Sequence, residues 1–135
     1  MPTVAKTELV EVRTEFDVVK ARQMVRAWCV EHGFSLVDQT KMVTAASEIA
    51  RNTLTHGRGG TMRLEALRNG VRSGVRLIFD DLGPGIADLQ MAMRDGYSTG
   101  TGLGMGLGGA RRLVNEFSID STPGRGTRVS LTRWK

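Results

Sequence analysis

Three groups of residues have the types and spacing to do chemistry. Glu48 and Asn52 stand four apart, one turn of a helix. Asp81 is followed by Gly83 and Gly85. A second glycine series, Gly96, Gly100, Gly102, Gly104 and Gly106, leads into a helical pattern over 110–117. Glycine lets bare backbone N–H groups approach a ligand in conformations other residues avoid. Where such a backbone feeds a helix, unpaired N–H groups and the helix dipole make an anion site. The anion this implies is a polyphosphate. The Asp81 carboxylate, fixed beside two glycines, suits a hydrogen-bond donor such as an adenine amine.

These residues need elements to hold them. Residues 8–14 alternate in the strand period, with Val10, Val12 and Phe16 in one parity. Asp17 is placed to cap a following helix, whose stripe includes Val18, Ala21, Val25, Trp28 and Cys29 and which Gly33 stops. His32 closes that stripe as a helix C-terminal residue. Ser35 and Asp38 start a second helix over about 36–55. Met42, Val43, Ala46, Ile49, Ala50, Thr53 and Leu54 cover its apolar arc, and Glu48 and Asn52 fall on the rim. A hairpin over 61–67 and 71–79 turns at Asn69-Gly70. Val75, Leu77, Phe79 and Asp81 share the inward parity of its second strand. A short helix at 86–95, a loop at 96–104, a helix through Leu113 and Val114, and two strands joined at Pro123-Gly124 complete the chain.

The 135 residues imply one domain, 1–135, with a core that needs no staples. The single Cys29 excludes an internal disulfide and reads as a small core residue. No apolar run approaches a membrane span and no signal-peptide pattern opens the chain, so the expectation is a cytoplasmic protein with no membrane partner. Net charge is +5. Aromatics are only 5%, which leaves no stacking platform, so nucleic acid is not the expected partner. Scattered arginines point to solvated faces or an acidic protein partner.

Two familiar glycine motifs do not apply. A P-loop needs Gly-Lys-Ser/Thr, and no lysine lies between Lys41 and Lys135. The run from Gly100 to Gly106 lacks the preceding strand of a dinucleotide fingerprint. The order Glu48/Asn52, Asp81-Gly83-Gly85, Gly102-Gly104-Gly106 and Gly124-Arg125-Gly126-Thr127 instead resembles the GHKL family of ATPases and kinases, with its Bergerat ATP-binding fold. The resemblance runs from Ser35 to the end. Within the family the chain is similar to the small switch kinase of the bacterial stressosome, with anti-sigma-factor kinases as relatives. Only ten residues, Ile86 to Asp95, precede Gly96, where histidine kinases carry a longer lid.

The resemblance implies an α/β two-layer sandwich, helices on one face of a mixed β-sheet. It implies an ATP-dependent serine/threonine protein kinase that switches between partners. ATP and Mg²⁺ are the implied cofactors. A STAS-domain protein (RsbS- or RsbR-like) is the implied substrate, and a PP2C-type phosphatase regulatory domain the second partner. Glu48 would be the catalytic base and Asn52 the Mg²⁺ ligand. Asp81 would read adenine, with Gly83 and Gly85 letting the base approach. Gly100, Gly102, Leu103, Gly104, Met105 and Gly106 would enclose the phosphates, and Thr127 would support the adenine end. The rival class is a nucleotide-gated binding module with little catalysis, of the anti-sigma-factor or phosphatase-activator type; a catalytic Glu48 argues for the enzyme.

Overall fold

The computed structural model describes residues 2–86, 89–93 and 106–135. The chain opens with β1 (Thr3–Val12) and two long helices, α1 (Glu15–Glu31) and α2 (Leu36–Thr55). The hairpin β2 (Gly60–Asn69) and β3 (Arg72–Asp81) follows. Two short helices, α3 (Leu89–Ala92) and α4 (Gly106–Arg112), precede a second hairpin, β4 (Glu116–Thr122) and β5 (Gly126–Trp134).

The strands form one sheet in the order β1-β2-β3-β5-β4, with every described pairing antiparallel. This is the expected two-layer sandwich, but the sheet is antiparallel rather than mixed. The reason lies in the crossover. Two helices packed on each other return the chain to the end of the sheet where β1 finished, so β2 runs back beside β1. β3 and β4 are parallel in direction, but β5 lies between them.

Parity places the core. Met62, Leu64 and Ala66 of β2, Val75, Leu77 and Phe79 of β3, and Val129 and Leu131 of β5 are buried under the helices. Val18, Ala21, Val25, Trp28 and Cys29 of α1 and Met42, Ala46, Ile49 and Ala50 of α2 meet them. Burial pushes the Cys29 thiol up to about 12, which leaves it an inert core group.

Local signals moved in three places. Thr14, not Asp17, caps α1. The Asp17 N–H donates to Thr14 Oγ1 at 3.1 Å while the Asp17 carboxylate accepts from Thr14 N–H at 3.2 Å, a reciprocal capping box. The helix therefore begins before Phe16, which is 74% exposed and shares no inward face with Val12. The hairpin turn is Gly70-Val71, one residue later than expected, because Asn69 still pairs with Arg72. Gly70 takes φ 65°, the positive value favoured two-residue turns need at their first position. Gly106 already belongs to α4, which ends at Arg112, so Leu113 and Val114 lie beyond it.

One ion pair ties the layers together at the end far from Asp81. The Arg133 guanidinium on β5 donates to Asp38 Oδ1 at 2.6 Å and to the Leu113 carbonyl at 2.8 Å. The hydrogen bond from Arg133 holds the Asp38 carboxyl below the ordinary carboxylate range. A depressed carboxyl contributes stability above its unfolded pKa and loses it as pH falls through the folded one. Denaturant unfolding from pH 7 to pH 3 should therefore show Asp38→Asn less stable than wild type at neutral pH. The gap should narrow as pH falls below about 4, the ordinary carboxylate range, toward the depressed pKa of folded Asp38. A constant gap across the range would count against the pair.

Candidate functional site

A cavity of about 350 Å³ opens between α2, the end of β3 and the start of α4. That volume is within the range of small-ligand sites. Its walls are mostly apolar: Ile49, Phe79, Ile86, Leu107 and Val129. Its polar groups are few and come from separate elements: Asn52 and Thr53 from α2, His56 at the helix C-cap, Asp81 from β3 and Thr127 from β5.

Asp81 sits where its strand parity placed it, at the inner end of β3. The Gly83 N–H donates to its Oδ1 at 2.9 Å, so the loop curls back onto the carboxylate. Desolvation by burial raises the Asp81 pKa despite the hydrogen bonds from Gly83 and Thr127 backbone N–H groups. A half-buried acid with raised pKa in an apolar cavity marks a functional site.

Close backbone approach builds the wall behind that carboxylate. A Cβ on Gly57 would overlap the Asp81 carboxyl group, and one on Gly83 would stand 2.7 Å from the Gly57 Cα. Gly85, at φ 77°, lies against the Thr122 carbonyl with no room for a side chain. The loop is then tied to β4 and β5. The Ile86 N–H donates to Ser121 Oγ at 2.8 Å, Ser121 Oγ lies 2.8 Å from Thr127 Oγ1, and the Gly124 N–H donates to the Pro84 carbonyl at 2.7 Å. Thr127 is thereby fixed at the cavity wall.

Of the residues singled out in the sequence, Asn52, Asp81, Gly85, Gly106 and Thr127 line the cavity together. Gly83 stands behind Asp81 and shapes it indirectly. Glu48 lies one turn before Asn52 on α2 but is 7% exposed and is not part of the cavity lining. The expected rim position thus holds for Asn52, which is half-buried, while Glu48 is buried. Gly100, Gly102, Leu103, Gly104 and Met105 lie outside the described residues.

Several contributors were not singled out. Ile49, Thr53 and His56 share the Asn52 face of α2 at spacings of three and four, a legible helical signal. Gly57 and Ser121 carry no such signal, because their roles come from segments remote in sequence.

A carboxylate, a helix-edge amide and glycine-built walls thus meet in one cavity of an α/β sandwich. The family model described as "Histidine kinase-, DNA gyrase B-, and HSP90-like ATPase" matches residues 37–135, and the chain belongs to that family. It is 42% identical over 125 residues to the serine/threonine-protein kinase RsbT of Bacillus subtilis, covering 93% of this chain and 94% of RsbT. It is 30% identical over 121 residues to an anti-sigma F factor of Bacillus licheniformis, covering 84% of this chain and 81% of that protein. Among solved structures, the RsbU and RsbW domains of a Mycobacterium tuberculosis protein share the fold at TM-score 0.64 and 23% identity, over 95% of this chain and 33% of that one.

The Asp81 geometry carries a test of base recognition. Adenine presents an amine where guanine presents a carbonyl, and the amine favours the charged carboxylate. ATP should raise the melting temperature and GTP should not. Because burial raises the Asp81 pKa, wild-type ATP affinity should fall more steeply than that of Asp81→Asn as pH is lowered toward 4.5. Calorimetry over that range reads the difference in slope. Equal stabilisation by ATP and GTP would remove Asp81 from base recognition.

Proposed function

We propose that this protein transfers the γ-phosphoryl group of ATP to a serine or threonine of a partner protein and so switches that partner's associations. The observation that carries this is the convergence of Asp81, Thr127 and Asn52 on one cavity in a chain 42% identical over most of its length to a named serine/threonine kinase. The substrate we infer is a STAS-domain protein, with a PP2C-type phosphatase regulatory domain as a second partner, acting in the cytoplasm. No helix among the described residues is long and apolar enough to cross a membrane.

Placement supports each role in this reading. Asp81 accepts from the adenine amine, and Phe79, Ile86 and Val129 shield the base from water. Gly106 brings the start of α4 to the cavity. Asn52 is the residue placed to hold Mg²⁺, through its side-chain oxygen. Among the described residues no group of three His, Cys, Asp or Glu could hold a metal. The ion would take one oxygen from Asn52 and complete its shell with phosphate and water. When bound, the ion would neutralise phosphate charge. Glu48 would take the proton of the attacking hydroxyl, and from its buried position it must reach the reacting group past Asn52.

That burial is the specific observation favouring a second reading, a nucleotide-gated binding module, and relatives named anti-sigma F factor agree with it. Single-turnover transfer from labelled ATP to a STAS-domain protein separates the two. Glu48→Gln keeps the shape and removes the charge. It should bind ATP and partner nearly normally yet transfer at least about tenfold more slowly, the lower part of the range for losing a general base. Wild-type transfer rates in this variant would remove Glu48 from the chemistry. A wild-type protein that binds both partners and transfers nothing would establish the binding module.

The metal is tested separately. Asn52→Ala should weaken ATP binding in magnesium and leave binding in EDTA little changed, as read by calorimetry. Wild-type affinity indifferent to magnesium would sink the assignment.

A further inference from the structure

Beside the nucleotide cavity lies a second groove of about 740 Å³, bounded by the α2–β2 loop, the end of β3 and the β4–β5 hairpin. Four features set it apart from ordinary surface. Arg58 has φ 60°, the only positive value among the described non-glycine residues. It stands among Gly57, Gly59 and Gly60, where another glycine would adopt that conformation without strain. An arginine kept in a strained position points to a use for its side chain.

The second feature is charge. Arg128 is neutralised by Asp80 at 2.6 and 3.1 Å. Arg58 and Arg125 line the same groove, and no ion pair among the described residues engages either. Third, Leu82 at the groove is 94% exposed, an apolar side chain presented to solvent. Fourth, the groove and the nucleotide cavity share Gly57, Asp81 and Thr127 as lining residues.

We propose that this groove docks a segment of a protein partner that carries carboxylates and an apolar side chain, and that docking is coupled to nucleotide binding. The carboxylates would meet Arg58 and Arg125, and the apolar group would cover Leu82. A uniform polyanion fits poorly, because Asp80 and Asp120 line the same groove. Among the described residues no aromatic lines it to stack a base, and a free phosphate would leave Leu82 bare. The coupling follows from the shared wall. Gly57 packs directly against the Asp81 carboxyl, so a segment pressing on Gly57 and Thr127 changes how Asp81 presents itself to adenine. By linkage, nucleotide must change the segment's affinity by the same factor. The inference rests on nucleotide binding at Asp81 and does not require phosphoryl transfer.

The test titrates the full-length protein, amide-labelled for NMR, with a short peptide of alternating Glu and Leu. Inorganic phosphate, oligothymidylate and the Lys-for-Glu peptide serve as comparison probes. The acidic peptide should shift the Arg58, Leu82 and Arg125 amides. Arg58→Gly, which relieves backbone strain and so keeps the fold, should weaken it about tenfold, and Arg125→Ala likewise, in keeping with loss of a charge-assisted hydrogen bond. Saturating peptide should change ATP affinity about fivefold or more, and ATP should change peptide affinity equally. No shifts at millimolar peptide, undiminished binding to Arg58→Gly, or stronger binding of phosphate or oligothymidylate would overturn the groove assignment. Peptide and ATP affinities independent of each other would overturn the coupling. ATP measured alone shows separately whether the nucleotide reading itself stands.

Discussion

The structure depends on bringing three backbone segments into contact around one carboxylate. Asp81 ends β3 between the α2–β2 loop, its own following loop and the start of β5. The contact distances leave no room for a Cβ at Gly57, Gly60 or Gly126, whose added carbons would overlap Asp81 or Asp80. Gly126 also takes φ 94°, a conformation side chains rarely adopt. A half-buried acid costs free energy unless donors face it, and the Gly83 and Thr127 backbone N–H groups do so here. The glycines are therefore conditions for placing a polar group inside an apolar cavity.

The same contact explains why this end of the cavity is well built. Pro84, Ser121 and Thr127 bind the glycine loop to the second hairpin, while Ile49 and Thr53 hold the opposite wall on α2. The cavity thus spans the first hairpin, the second hairpin and a helix, and no local segment forms it alone. On the open face of the sheet, Arg76 pairs with Glu65 at 2.6 Å and Arg72 covers the Trp134 ring at 4.9 Å. These two arginines thereby have partners within the sheet. Arg58 and Arg125, at the groove beside the cavity, are different in this respect.

Burial of Glu48 separates two jobs that helical spacing had joined. Asn52 and Glu48 share an edge of α2, yet one lines the cavity and the other is buried outside that lining. Two polar residues one turn apart on one helix thus have different access to the cavity.

Much was legible in the sequence because its signals are local. Helical periodicity and the Ser35 cap set α2 at 36–55 as observed, since side chains three and four apart share a face whatever the tertiary context. Strand parity carried Val75, Leu77, Phe79 and Asp81 to one side of β3, since the pleat alternates strictly. The order of the glycine motifs carried the resemblance to the family that the chain belongs to. Other features belonged to tertiary structure. The antiparallel sheet follows from how two helices pack, and the turn at Gly70-Val71 follows from how far the strands pair. Gly57 and Ser121 enter the site only because remote segments meet there. Glu48 and Asn52 look equivalent at helical spacing, and burial between layers tells them apart. The sequence determined which faces could be apolar and where the backbone could bend; the packing of those faces decided which polar groups share a cavity, because burial is set by every segment that meets there.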